Sequence, residues 1–203
     1  MHAADQAEGV LDAVPGETEL RGVIESAAHG DDQAWATLIK LYGRRVFALA
    51  RSRVRRADLA EEITQSVFAT IAIKLKDGGY AEQGHFEPWL FRIAMNRVRD
   101  ECRRERRQAT PADPDTLRLR AQGDGQAPAD RESERHELGL LRAALAKLAD
   151  ADREVIELRH HAQMSFKQIA ELLDEPMGTL LARHHRALRK LRAIMEPETG
   201  GAA

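Results

Sequence analysis

The chain has 203 residues, and its 31 basic and 33 acidic side chains leave a formal net charge of −2, which excludes a uniformly basic nucleic-acid binder. The single cysteine, Cys102, excludes an internal disulfide and a multi-cysteine zinc site. No apolar run is long enough to span a membrane and residues 1–17 lack the apolar segment of a signal peptide, so the sequence predicts a soluble, cytoplasmic protein.

The composition favours helix throughout, because Ala, Leu, Arg and Glu dominate and aromatic residues make up only 4% of the chain. The charges are segregated along the sequence. Acidic residues collect in the N-terminal tail and at 58–62, whereas basic residues collect at 92–107 and 183–192. This segregation can leave one surface positive although the total charge is near zero.

Residues 1–16 are small and polar and predict a mobile tail. A first helix is predicted from about 19 to 28, and Asp31 or Asp32 can cap a second helix from about 33 to 54. This second helix carries a sustained apolar stripe. The stripe consists of Trp35, Leu38, Ile39, Tyr42, Val46, Leu49 and Ala50.

A third helix is predicted from about 57 to 76, with an acidic first turn and an end at Asp77-Gly78-Gly79. A fourth, basic helix opens at Phe86, and the loop before it presents the rings of Tyr80, His85 and Phe86. Basic residues that follow phosphates, together with rings that stack on bases, are typical of a single-strand binder. The alternative is that Phe86 and Trp89 are core residues; we prefer it for Trp89 but not for the loop.

Proline and glycine interrupt residues 108–131, which contain few large apolar side chains and predict a flexible linker between two domains. The second domain, at 132–195, begins with predicted helices at about 132–148 and 151–161. Residues 196–203 form a second tail.

The stretch from 165 to 192 predicts a helix-turn-helix. Ser165 and Gln168 form a capping-box pattern, and Pro176 suits the start of a new helix. The second helix has no acidic residue between Met177 and Ala193, so its outer face is basic. Its predicted inward residues are Leu180, Ala187, Leu188 and Leu191. Such a helix enters the major groove with its N-terminus first. The alternative is an ordinary helical hairpin with a solvated basic face.

Four segments in this order resemble the extracytoplasmic-function sigma factors, the small bacterial members of the sigma-70 class. The first two are GDDQAWATLIKLYGRRVFALA and AEEITQSVFATI, and the next two are FEPWLFRIAMNRVRDECRR and LADADREVIELRHHAQMSFKQIAELLDEPMGTLLARHHRALRKLR. The resemblance implies an all-α fold of two small helical domains, a region two at 17–107 and a region four at 132–195. It also implies a protein that binds core RNA polymerase and directs promoter-specific initiation.

The resemblance also implies roles for individual residues. An acidic and amide-bearing face would bind core polymerase through Asp58, Glu61, Glu62, Gln65 and Phe68. The loop from Asp77 to His85 would hold a flipped base. The promoter's minus-ten element would be contacted by Tyr80, His85, Arg92, Asn96, Arg99, Asp100, Arg103 and Arg104. The minus-thirty-five element would be contacted by Ser165, Lys167, Thr179, Arg183, His185, Arg186, Arg189 and Lys190.

Four positions depart from the family's usual pattern. Ser66 stands where an acid is usual, and His184 stands where an apolar residue is common. Leu181 and Ala182 replace a polar or basic residue and a serine, which removes possible phosphate contacts from the recognition helix. The changes at Leu181 and Ala182 bear on which promoter is read and how tightly, rather than on whether DNA is bound.

The predicted mechanism needs no catalytic centre, cofactor or metal, and the implied partners are core RNA polymerase, promoter DNA and an anti-sigma regulator. A second hypothesis is a stand-alone helix-turn-helix regulator, although such a protein does not need the acidic face at 58–68. A third is an enzyme or metal protein built on the histidine pairs His160-His161 and His184-His185. Adjacent histidines point about 100° apart on a helix and make poor chelates.

Overall fold

The computed structural model describes residues 16–54, 56–80, 84–108 and 139–195, and every regular element in these ranges is an α-helix. The helices of the first half are α1 (Glu17–Ala28), α2 (Asp32–Arg53), α3 (Ala57–Lys76) and α4 (Phe86–Gln108). The sequence placed the ends of α1, α2 and α3 within two residues of these bounds, gave both ends of α3 correctly, and gave the start of α4 at Phe86. The predicted all-α fold is therefore confirmed.

Local side-chain chemistry sets the ends of these helices. The Asp31 carboxylate accepts hydrogen bonds from the Gln33 and Ala34 amides at 2.8 and 3.0 Å, so it is the cap of α2. After α3, Gly78 takes a φ of +67°, which a residue with a side chain rarely adopts. The Gly79 amide then donates to the Lys74 carbonyl at 2.8 Å and closes the helix end.

The core of the first half lies between α2, α3 and α4. Tyr42, Phe86 and Phe91 are its largest fully buried side chains. Phe86 is therefore a core residue, and the prediction that it belongs to a base-stacking loop was wrong. Ile39 was predicted to point inward with the rest of the α2 stripe, but half of its surface is exposed (50%). The apolar residues of α2 extend over a wider part of its surface than α1, α3 and α4 cover.

The second half consists of α5 (residues 139–146), α6 (Asp150–His160), α7 (Phe166–Leu173) and α8 (Met177–Met195). The predicted linker lies, apart from Gln108, outside the described residues. The start of the helix predicted at 132–148 and almost all of both predicted tails also lie outside them.

The helix-turn-helix prediction is confirmed by α7, α8 and the turn between them. Ser165 and Gln168 form the predicted capping box, with the Gln168 amide 3.2 Å from Ser165 Oγ and the Ser165 amide 2.8 Å from Gln168 Oε1. Asp174 ends α7 in the left-handed conformation (φ 55°). The Pro176 carbonyl accepts from the Thr179 amide at 2.9 Å as α8 begins.

A small core joins α8 to α5 and α6. Its buried residues are Ala144, Leu145, Leu148, Ile156, Ala187 and Leu191. Leu188 was predicted to be part of it but remains 43% exposed. One residue corresponds to about 100° of rotation along a helix, so Leu188 is turned away from the face that Ala187 buries.

The two halves pack directly against each other. Leu158, Met164 and Ile169 of the second half are fully buried in one continuous apolar cluster with the core of the first half. Arg45 of α2 donates from Nε to the Ala162 carbonyl at 2.7 Å and also pairs with Glu87. We call this arrangement the closed packing.

Candidate polymerase- and DNA-binding surfaces

The outer face of α3 carries the acidic group that the sequence singled out. Asp58, Glu61, Glu62 and Gln65 are exposed, and Phe68 is half-buried against the core. Asp58 forms an ion pair with Arg56, and the hydrogen bond from that guanidinium lowers the pKa of the carboxyl. The face is therefore negatively charged at neutral pH and open to a basic partner.

Apolar residues beside this face were missed by the sequence analysis. A Cβ on Gly43 would lie 3.6 Å from Ile39 Cγ2 and 3.9 Å from Phe68 Cε2, which are ordinary contact distances, so Ile39 and Phe68 lie on either side of Gly43 where α2 packs on α3. Ile39 and Ile73 are 50% and 62% exposed. A glycine inside a predicted helix was the available signal, because it marks a close approach between helices. The α3 face thus joins acids to exposed apolar surface.

The predicted minus-ten residues lie along α4. The spacing of basic and polar residues along α4 predicted that this side faces outward. The exposed residues are Arg92, Asn96, Asp100 and Arg103, and Arg99 is half-buried. The last turns of the helix also carry the exposed Arg104, whose Nη1 lies 3.6 Å from Glu101. Arg99 Nη1 donates to Asn96 Oδ1 at 3.3 Å, and Arg103 lies 3.8 Å from Asp100. These side chains form a row along one helix that holds four arginines, one amide and one carboxylate.

The closed packing covers part of this row. Arg92 Nη2 donates to the carbonyls of Glu171 and Leu172 in α7, at 3.1 and 3.2 Å. Arg99 pairs with Glu154 of α6. His85 Nδ1 lies 2.5 Å from Glu171 Oε1. Three side chains predicted to contact DNA are therefore in contact with the second half of the chain.

Tyr80 belongs to an aromatic cluster rather than to an open loop. Its ring centroid lies 4.4 Å from that of Trp89 and 5.5 Å from that of Phe86. Trp89 is half-buried against the core, as predicted. Residues 81–83 of the predicted base-holding loop lie outside the described residues.

The recognition helix α8 presents most of its predicted DNA contacts to solvent. Thr179, His185, Arg189 and Lys190 are exposed, and so is Lys167 on α7. The exposed Ser165 uses its hydroxyl oxygen to cap α7. The exposure of these side chains agrees with the sequence analysis, and their contact with DNA stays a prediction.

Two arginines of α8 are held by acids of the same half. Arg183 Nη1 lies 2.7 Å from Glu175 Oε1. Arg186 makes a two-pronged contact with Asp152, at 2.6 and 3.0 Å, and its hydrogen bonds lower the pKa of that carboxyl. The two-pronged contact fixes where the Arg186 guanidinium points.

A cross-helix histidine pair gives His184 a structural role that the sequence did not reveal. Its Nε2 lies 3.1 Å from Nε2 of His160 in α6, and the Phe166 ring packs edge-on against it at 5.2 Å. Burial lowers the pKa of both imidazoles. No group of three potential metal ligands occurs within the described ranges. The geometry is that of a hydrogen bond between two neutral rings.

Glu157 is the fully buried acid of the closed packing and was also missed. Its carboxylate lies 2.5 Å from Arg53 Nε in α2 and 2.6 Å from Arg153 Nε. Arg153 also donates to the Ser52 carbonyl at 3.0 Å. An acid at an inward position of a predicted helix was the signal in the sequence, and its partner Arg53 lies 104 residues away along the chain.

Two family models match the chain, "Sigma-70 region 2" over residues 38–108 and "Sigma-70, region 4" over residues 144–193. RNA polymerase sigma factor NccH of Alcaligenes xylosoxydans xylosoxydans is 32% identical over 84% of this chain and 91% of its own length. ECF RNA polymerase sigma factor RpoE of Cereibacter sphaeroides is 31% identical, over 82% of this chain and 89% of its own length. The chain belongs to the extracytoplasmic-function sigma factors. ECF RNA polymerase sigma factor SigW of Bacillus subtilis is 27% identical, over 87% of this chain and 96% of its own length.

The fold of this sigma factor resembles a solved structure of CnrH in complex with the cytosolic domain of CnrY. The match covers 88% of this chain and 98% of the CnrH chain. The TM-score is 0.65 and the sequence identity is 25%. The protein therefore binds core RNA polymerase and directs transcription initiation at promoters, and the hypothesis of a stand-alone regulator is set aside. None of the helices in the described ranges has the length and hydrophobicity of a bilayer-spanning segment.

Proposed function

We propose that three surfaces of this sigma factor divide the work of initiation. The α3 face binds core polymerase, α4 binds the unpaired strand at the minus-ten element, and α8 enters the duplex at the minus-thirty-five element. The observation that carries this assignment is the segregation of exposed charge, acidic on α3 and basic on α4 and α8. The proposed domain limits are 17–107 for region two and 132–195 for region four.

The α3 surface fits a partner helix that is rich in arginine and carries apolar side chains. The carboxylates of Asp58, Glu61 and Glu62 can form ion pairs with such arginines. The Gln65 amide can hydrogen-bond to a cationic or an anionic side chain, because it both donates and accepts. Phe68 lies beside the exposed Ile39 and supplies apolar contact at the centre of a polar rim.

Charge reversal on α3 tests the polymerase assignment. We expect Glu61→Lys to weaken binding to core polymerase at least tenfold in a fluorescence titration, because one attractive contact becomes repulsive. The matched control is Glu19→Lys, which makes the same change at an exposed position on α1. Equal affinities of the two variants would remove α3 from the interface.

Promoter opening follows from two DNA contacts made by one chain. Unstacking costs a few kcal/mol for each base step, and phosphate contacts from α4 together with base stacking offset it. Binding of α8 to the upstream duplex raises the effective concentration of α4 at the minus-ten element. Run-off transcription with core polymerase and a library of random promoters tests activity and specificity together.

The sigma factor is further proposed to be held inactive by an anti-sigma protein and to act in the cytoplasm at the nucleoid. The proposal draws on the CnrH structure, whose partner is the cytosolic domain of CnrY. A partner that stabilises the closed packing keeps Arg92 and Arg99 away from DNA. Co-purification from the native host, followed by transcription assays with and without the captured protein, tests this.

A further inference from the structure

The outermost positions in the first turns of α8 hold the small residues Gly178 and Ala182. Leu180, Ala187 and Leu191 are buried and define the inward direction. At about 100° per residue, Gly178 and Ala182 then lie opposite the core, with Leu181 on one flank and the exposed Thr179 on the other. Leu181 is 44% exposed, and a Cβ on Gly178 would meet open space.

The charged side chains nearby are committed to other contacts. Arg183 and Arg186 are the only arginines between Met177 and Leu188. Both are paired with acids of their own half, at 2.7 Å from Glu175 and at 2.6 Å from Asp152. Where these guanidinium groups reach phosphates, the contacts position the helix but do not read sequence.

Small residues at the outermost positions let the α8 backbone approach the base edges closely. The apolar group that a base pair presents in the major groove is the 5-methyl of thymine. Leu181 can bury its methyl groups against that carbon, with Ala182 closing one side. A hydrated phosphate or a guanine edge offers such a side chain no favourable contact.

We propose that Leu181, supported by Ala182, reads a thymine of the upstream promoter element through its 5-methyl group. The inference rests on the proposed entry of α8 into the major groove. It assigns base specificity to an apolar contact and leaves positioning to the paired arginines.

The test replaces thymine by deoxyuridine, which removes only the methyl group. An upstream duplex is first selected from a random library by transcription with core polymerase and the full chain. Each thymine of that element is then replaced singly. We expect one replacement to weaken holoenzyme binding about fourfold, the effect of one buried methyl group. The same replacement leaves binding by Leu181→Ala unchanged.

Leu188→Ala is the matched control, because Leu188 is equally exposed (43%) on the same helix but lies two turns further from the N-terminus. It should keep the full sensitivity to deoxyuridine. The inference is overturned by a selected element without thymine, by wild-type indifference to every replacement, or by sensitivity that survives in Leu181→Ala. A library without any upstream preference overturns the docking of α8 as well, whereas a clear preference that is indifferent to deoxyuridine leaves that docking intact.

Discussion

Glu157 shows how one side chain links the two halves of the molecule. Its carboxylate is fully buried and is compensated by Arg53 from α2 and Arg153 from its own helix. A buried carboxylate with two partners stabilises the closed packing, and the removal of the negative charge leaves two cations facing each other in a nearly dry interface.

We therefore expect Glu157→Gln to lower the free energy of unfolding by about 3 kcal/mol. Urea denaturation followed by circular dichroism measures the change. The control Glu61→Gln, at an exposed site, should stay within about 0.5 kcal/mol of the wild type. A Glu157→Gln protein as stable as the control would show that the carboxylate does not hold the interface.

Three histidines make stability depend on pH. Burial lowers the pKa of His160, His161 and His184, so the folded protein binds fewer protons than the unfolded chain. Stability is then fully present above the unfolded histidine pKa of about 6.5 and is lost as the pH falls toward the folded values.

Thermal unfolding between pH 7.5 and 5 should show this loss, and His161→Gln should reduce its slope. His29→Gln, at the exposed position that follows the last residue of α1, serves as the control. Slopes that coincide for both variants and the wild type would rule out His161 as a contributor.

At the scale of single elements, capping residues decide where the helices begin and end. The sequence analysis located α2, α3 and α7 well because Asp31, Gly78 and Ser165 carry specific end signals. It predicted wrongly that Ile39 and Leu188 are buried. The spacing of apolar residues shows which face of a helix is buried, but it does not show how much of the helix circumference the neighbouring helices cover.

The capping box at Ser165 should control the local stability of the helix-turn-helix. We expect Ser165→Ala to lower the free energy of unfolding by about 1 kcal/mol, because the Gln168 amide loses its partner. Ser165→Asp should retain most of the stability, since aspartate is an equally good cap. Chemical denaturation compares the three proteins, and equal losses for both substitutions would mean that the cap is not the cause.

For the whole molecule, the main feature that the sequence did not predict is the closed packing. Leu158 and Met164 were recognisable as apolar, but their burial against the first half depends on contacts more than 50 residues apart along the chain, such as Arg99 with Glu154. The family motifs indicated the surfaces for polymerase and DNA, but they gave no account of a contact between the halves.

Glu154→Lys tests the closed packing by setting a second cation against Arg99. We expect a larger radius of gyration in small-angle X-ray scattering and tighter binding of a single-stranded minus-ten oligonucleotide, because α4 is uncovered. Glu25→Lys, an exposed change on α1, should alter neither. An unchanged radius together with unchanged oligonucleotide affinity would show that Glu154 does not restrain the two halves.

The ion pairs of Arg99, Arg183 and Arg186 have a consequence for how promoter binding responds to electrolyte. Binding of DNA normally liberates the counterions condensed on each neutralised phosphate, which makes affinity fall steeply as salt is added. An arginine that exchanges a carboxylate for a phosphate leaves that carboxylate to recapture a cation from solution. Promoter affinity should consequently decline less steeply with ionic strength than the number of basic side chains at the interface implies.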